Sequence, residues 1–251
     1  MMIDTHAHLD FFENPEEIVA RAKEKQVEKI MIAGVGPDKF HEIINLIDKF
    51  DNVYGSLGVH PEDIDKFSPA VLKEIANLSS HPKIRAIGEI GLDYYWNKEN
   101  KEKQIILFKA QLELAEALGL PVMVHDREAH ADTMSILDAY NLKNVILHCF
   151  SGSVEMAMHC ILKGYYLGIG GVVTFKNAKV IKEVVKEVPL ANIVLETDCP
   201  YLTPHPFRGE QNEPSYIPLI AREIANLKDI SLDEVASVTT ANANKIFNLE
   251  T

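Results

Sequence analysis

Six residues of cation-binding type recur at one kind of position along the chain: His6, His8, Glu89, His125, His148 and Asp198. Imidazole nitrogens and carboxylate oxygens are the usual ligands of Zn²⁺, Mn²⁺ and iron, and carboxylates also suit Mg²⁺. Each of the six closes a short apolar, β-branched run, so each is expected at the C-terminal end of a strand. In His6-Ala7-His8 the imidazoles are two residues apart and project to one face of a regular strand. A lone His-x-His is weak evidence, because an exposed histidine pair is the commoner occurrence. Six ligand types at matching strand ends are a strong signal. The chemistry they would serve is metal-assisted hydrolysis, in which a cation activates water and polarises the bond under attack.

Further residues flank this set. His60, in Gly58-Val59-His60-Pro61, is either a plain loop residue ahead of a proline or a group beside the ligands that faces substrate, and the second role is favoured. Arg127 follows His125-Asp126. It could pair with Asp126 or Glu128, or it could clamp a phosphate by gripping two oxygens at once; both readings stay open. Arg208, in Pro204-His205-Pro206-Phe207-Arg208-Gly209, is a solvated loop charge or, given its nearness to Asp198, a substrate contact. Glu196 lies two residues before Asp198 and is a substrate contact, an acid behind the ligands, or a buried structural acid. His41, His81, His130 and His159 read as surface histidines, and Cys149 and Cys199 as packing residues. No Gly-x-Ser-x-Gly elbow supports a serine nucleophile, and no P-loop is present.

Eight strand-like runs must position these groups: Ile3–His8, Lys29–Gly36, Val53–His60, Ile84–Asp93, Pro121–Asp126, Asn144–Ser151, Tyr165–Val173 and Asn192–Pro200. Amphipathic segments lie between them. Asn14-Pro15 opens one with a cap and a first-turn proline. Gln104–Leu118 is closed by Gly119, Ser151 or Ser153 caps another, and the last two run over Pro214–Leu227 and Ser231–Phe247. Alternating strands and helices imply parallel pairing with right-handed crossovers. Eight such units in 251 residues predict an α/β chain folded as one (β/α)8 TIM-barrel domain over residues 1–251. The first strand ends in His6-Ala7-His8 and not in a glycine-rich fingerprint, which disfavours the open doubly wound sheet.

Bulk properties bound the partners. A formal charge of −12 argues against a generic nucleic-acid binder, though bound cations can supply positive charge locally. Apolar runs stay short of the ~20 residues that span a bilayer, and the N-terminus lacks the features of a signal peptide. A cytoplasmic monomer without membrane association or an obligate protein partner is expected. Three cysteines without CxxC spacing disfavour a disulfide framework.

Five segments together resemble the signature segments of the TatD family, in the family's order and across nearly the whole chain. They are Met2–Asp10 (MIDTHAHLD), Gly88–Tyr94 (GEIGLDY), His125–Ala129 (HDREA), His148–Gly152 (HCFSG) and Leu195–Leu202 (LETDCPYL). The resemblance implies a TIM-barrel metallo-dependent hydrolase, a deoxyribonuclease acting 3′–5′ on single-stranded or frayed DNA with two divalent cations (Mg²⁺, Mn²⁺ or Zn²⁺). By position, His6, His8, Glu89 and Asp198 would hold one ion, and Glu89, His125 and His148 the other. Asp198 and Glu89 would be the catalytic groups, with His60, Arg127, Arg208 and Glu196 toward substrate. One departure stands out: Arg208-Gly209-Glu210-Gln211-Asn212-Glu213-Pro214 carries acids where relatives often carry Lys or Arg. It keeps two alternatives in play, a hydrolase of a small phosphoester, lactone, amide or aminoacyl ester, and a non-catalytic nucleic-acid-binding barrel.

Overall fold

A computed structural model describes residues 1–96, 98–142 and 144–249. The eight strands are β1 (Met2–Ala7), β2 (Val27–Ile32), β3 (Val53–Leu57), β4 (Ile84–Asp93), β5 (Val122–Arg127), β6 (Val145–Leu147), β7 (Tyr166–Ile169) and β8 (Ile193–Leu195). They lie in one sheet in sequence order. Helices alternate with them: α1 (Pro15–Glu24), α2 (Phe40–Lys49), α3 (Pro69–Leu78), α4 (Lys101–Leu118), α5 (His130–Leu137), α6 (Val154–Leu162), α7 (Lys179–Glu187), α8 (Ile217–Lys228) and α9 (Leu232–Phe247). This is the (β/α)8 fold. No described helix is long and apolar enough to cross a membrane.

Six of the strands end earlier than the apolar runs predict, while β4 ends at Asp93 as expected and β5 runs one residue further, to Arg127. His8, His60, His148 and Asp198 all fall one to three residues beyond their strands. The chain leaves the ladder there because its backbone groups find other partners: the Thr197 N–H, for example, donates to the Asp4 carboxyl. Asp198 itself takes a left-handed conformation, φ 58°, which a regular strand cannot contain.

The chain forms two compact units. The first comprises Met1–Ile32 and His148–Thr251, and so contains β1, β2, β7 and β8. β1 pairs with β2 from Met2↔Val27 to Ala7↔Ile32, β7 pairs with β8, and Ala7 bridges Cys199. All these pairings are parallel, and buried aliphatics such as Ile30, Ile32, Leu167, Ile193 and Ile220 fill the space between sheet and helices. Pro15 opens α1, with Glu16 and Glu17 in its first turn, where they favour the positive end of the helix dipole. The Asn14 side chain does not cap this helix, contrary to expectation: at φ −126°, ψ 71° its backbone lies outside the extended region typical of a capping residue. Ser153 and Ser231 do cap α6 and α9.

The second unit, Ala33–Leu147, contains β3 to β6. β4 is its spine, paired in parallel with β3 and with β5 as far as Asp93↔Arg127. α4 packs on β4 and ends at Gly119, whose φ of 66° places it in the left-handed region that favours glycine. Within the apolar stripe of α4 sit two fully buried glutamines, Gln104 and Gln111. Seven residues apart, they share one helix face.

Candidate metal centre

Each unit holds its own group of His and acidic side chains, in the C-terminal half of its strands (His6, Glu89, His125) or just past them (His8, His60, Asp198). In the first unit, His6, His8 and Asp198 offer ligand atoms within 4.8 Å of one another. Asp198 Oδ1 lies 3.4 Å from His8 Nε2 and 3.8 Å from His6 Nε2, and the His6 ring stacks on His148 with centroids 3.9 Å apart. Burial opposes a charge on Asp198. The hydrogen bond from His8 and the nearby His148, His6 and His8 rings outweigh it, so the carboxyl stays below its ordinary pKa.

A buried acid that sequence reasoning passed over fastens this group. Asp4 Oδ1 accepts the His6 and Thr197 backbone N–H groups at 3.2 and 3.0 Å, and Oδ2 accepts the Thr197 hydroxyl at 2.6 Å. It thereby ties β1 to the segment that carries Asp198. Burial lifts its pKa to about 7 even against these bonds. Asn212 adds a second tie, donating to the carbonyls of Thr197 and Tyr201. Asp4 lies two residues before His6 on the same strand face, so alternation was the signal that pointed to it.

Glu196 is fully buried. Its Oε1 accepts the Cys149 N–H and lies 3.7 Å from His148 Nδ1. That is the placement of an acid that holds the turn carrying His148. A Cβ on Gly168 would come within 2.1 Å of Glu196 Oε2, so the glycine in β7 makes room for this carboxylate. Cys199 is also buried, which pushes its thiol well up and fits a packing role.

In the second unit, His60, Glu89 and His125 form the corresponding group, again within 4.8 Å. Glu89 Oε1 is 2.8 Å from His125 Nδ1 and 3.4 Å from His60 Nε2. The other nitrogen of His125, Nε2, lies 3.0 Å from Asp93 Oδ2. A carboxylate there accepts the Nε2–H and leaves Nδ1 with a lone pair facing Glu89, as a metal-binding histidine requires. Burial works against the Asp93 charge, but hydrogen bonds from His125, Trp96 and Tyr95 prevail and its pKa is lowered. Asp93 was the second acid passed over. It shares a strand face with Glu89, four residues back.

His60 is bonded differently. Its Nδ1 accepts the Glu62 N–H at 3.2 Å, so in the neutral ring the proton sits on Nε2, the atom toward Glu89. His60 is therefore arranged as a donor to an anionic oxygen more than as a ligand. The two α4 glutamines set the backbone beneath these groups. Gln111 bonds the N–H and C=O of Val59, next to His60, at 2.7 and 3.0 Å. Gln104 does the same for Asp93, at 2.9 Å each. Gly91 lets β4 approach β5: a Cβ there would meet the His125 carbonyl oxygen at 1.9 Å, and its φ is +148°.

Arg127 pairs with neither of its acidic sequence neighbours among the described residues. Asp126 is taken by His130 and Thr133, and Glu128 by Lys98. Among the described residues Arg127 has no carboxylate partner, and its guanidinium lies over Tyr95, 4.1 Å from the ring centre. Arg208 lies 3.6 Å over Phe175. Both arginines lie over aromatic rings, and among the described residues neither has a carboxylate partner. The acidic loop is less repulsive than its composition suggests, since Arg21 grips Glu213 with two nitrogens at 2.6 to 3.1 Å. His41 is exposed, while His81 and His130 pair with Asp48 and Asp126.

Comparison with known proteins places the chain in a family. The family model described as TatD related DNase matches residues 3–248. YabD of Bacillus subtilis (strain 168), named an uncharacterized metal-dependent hydrolase, is 44% identical over 99% of this chain and 100% of its own length. YcfH of Escherichia coli (strain K12), named likewise, is 32% identical over 99% of this chain and 96% of its own. Among solved structures, the TatD homolog YjjV of Escherichia coli K12 superposes with a TM-score of 0.95 at 31% identity, covering 99% of this chain and 98% of the other. A TatD family hydrolase from Entamoeba histolytica gives 0.88 at 25% identity, covering 98% and 97%.

Proposed function

We propose that this chain, which belongs to the TatD family of metal-dependent hydrolases, cleaves phosphodiester bonds of DNA as a 3′–5′ exodeoxyribonuclease. The observation that supports the reading most is that each unit holds a His/carboxylate group with ligand atoms within 4.8 Å of one another. The donor set fits Mg²⁺, Mn²⁺ or Zn²⁺. In this proposal His6, His8, Glu89 and Asp198 would hold one ion, and Glu89, His125 and His148 the other. That allotment rests on the five signature segments.

Bound divalent cations supply Lewis acidity toward a phosphoryl group and lower the pKa of water. The residues of the chain do the rest. Asp198, kept ionised by its histidines, orients the attacking water and takes its proton. Asp93 and Glu196 hold His125 and His148 in place. His60 donates Nε2–H to a phosphoryl oxygen, and Arg127 and Arg208, free of competing carboxylates among the described residues, steady the negative charge that grows during attack. The substrate is DNA presented as a single strand or frayed end.

The test is a side-by-side assay with Mg²⁺, Mn²⁺ or Zn²⁺ of 3′-labelled single-stranded DNA, a small phosphodiester, and lactone and aminoacyl esters. Release of mononucleotides from the 3′ end is expected, falling at least ~100-fold in Asp198→Asn. Rapid turnover of small esters with no nucleotide release would replace this reading with a small-ester hydrolase. Salt-sensitive DNA binding without any turnover would replace it with a non-catalytic binder.

A further inference from the structure

We propose that Trp96, with Tyr95 and Arg127, forms a stacking platform for an unpaired nucleobase beside the His60–Glu89–His125 group. The inference rests on the nuclease reading and narrows it to substrates that carry a base.

The turn after β4 is fixed from within. The buried Tyr94 donates its hydroxyl to Asp132 at 2.7 Å, and Lys101 covers its ring. That anchoring sends the next two aromatics outward: Tyr95 is 48% and Trp96 63% exposed. Their rings meet edge to face with centroids 4.8 Å apart, and the Arg127 guanidinium lies 4.1 Å over Tyr95 and 5.5 Å from the Trp96 ring. Exposing an indole costs apolar surface that folding has not recovered. Here that surface adjoins a cation with no carboxylate partner among the described residues.

The position of the platform relative to the candidate centre is set by one side chain. Asp93 Oδ1 accepts the Tyr95 and Trp96 N–H groups at 2.9 and 3.0 Å, while its other oxygen meets His125 Nε2 at 3.0 Å. The same carboxylate thus orients a candidate ligand and holds both aromatics next to it. A base laid on the indole would bring its own phosphate to Arg127 and the neighbouring phosphodiester to the ligand group. Every base has a π face, so such a platform tolerates any sequence. It needs an unstacked base, which a duplex interior does not offer. Small phosphoesters and lactones have nothing to place there.

Trp96 is the only tryptophan in the chain, so tryptophan emission reports on the platform alone. The experiment titrates the metal-loaded protein with a short phosphorothioate thymidine strand that resists cleavage, and with an abasic strand of equal length. In parallel it measures hydrolysis of ordinary single-stranded DNA by wild type, Trp96→Ala and Trp96→Phe. We expect the base-bearing strand to quench emission at about tenfold lower concentration than the abasic one. Trp96→Ala should raise KM for DNA about tenfold, with most of the loss restored in Trp96→Phe. DNA hydrolysis accompanied by no quenching, or by equal quenching from both strands, overturns the platform and leaves the nuclease reading standing. Base-dependent quenching without hydrolysis supports the platform and removes the nuclease reading. Neither quenching nor hydrolysis removes both.

Discussion

The two units hold similar groups of ligand-type side chains by different means. In the first, the fastening comes from within a strand and is built around an acid: the carboxyl of Asp4 gathers two backbone N–H groups and a hydroxyl from either side of the group. In the second it is neutral and comes from outside the strands, from two amides of α4 that each close a pair of hydrogen bonds on a strand end. Each unit also uses a strand glycine to admit a site group, Gly168 for Glu196 and Gly91 for the His125 backbone. Both solutions satisfy the backbone where it leaves the ladder, which buried N–H and C=O groups require. An acid does this with one residue but keeps a charge-prone group in the interior. The amides cost more sequence and bring no charge.

The comparison can be broken at several points. The largest effect is expected for Asp4→Ala, which strands three buried donors and should cost about 3 kcal/mol or more, read from denaturant midpoints. Asp4→Asn keeps an acceptor for the two N–H groups and offers a donor to Thr197, so it should lose less than half as much; equal losses would mean the bonds do not matter. Next is Gly91→Ala, where the added methyl meets backbone that cannot swing away and should cost about 2–3 kcal/mol. Gly168→Ala meets the end of a side chain and should cost less. Gln104→Leu and Gln111→Leu each leave a backbone N–H and C=O without partners, for about 2 kcal/mol apiece. If the neutral fastening holds the second group, Gln111→Leu should also lower DNA turnover, whereas a merely structural glutamine would change stability alone.

The smallest effect concerns the edge of the second unit, where the hydrogen bond to Asp126 raises the pKa of His130. A raised histidine pKa stabilises the fold fully below the unfolded value of about 6.5 and loses that contribution as pH rises through the folded value. The pair is partly solvated, so a few tenths of a kcal/mol is the expected size. His130→Ala should therefore destabilise more at pH 5.5 than at pH 8.5. A loss independent of pH would assign the bond no charge.

Much of this was legible in the residues. Apolar runs with β-branched character located all eight strands, and β4 was bounded at Ile84 and Asp93 as observed. Most ligand-type residues fall close to the ends of those runs, but Glu89 lies inside β4, four residues before its end. What stayed hidden were polar groups whose work is to satisfy other groups. Alternation puts Asp4 on the face of His6 and Asp93 on that of Glu89 but gives neither a partner, and Gln104 and Gln111 look like polar interruptions of a helix stripe. Only the partner's position reveals their purpose, and periodicity carries no information on partners. The strand ends were overrun for the same reason: apolar character continues through Val59 and Phe150, but the ladder stops where side chains begin to supply the bonds.

The central claim is that these groups are ligands for two ions sharing Glu89, and metal content tests it most directly. Native mass spectrometry with elemental analysis should find about two divalent ions per wild-type chain. His8→Ala and His125→Ala, one from each unit, should each lose about one ion, and Glu89→Gln should loosen both. A wild-type chain without bound metal, or a Glu89→Gln variant with the full complement, would contradict it.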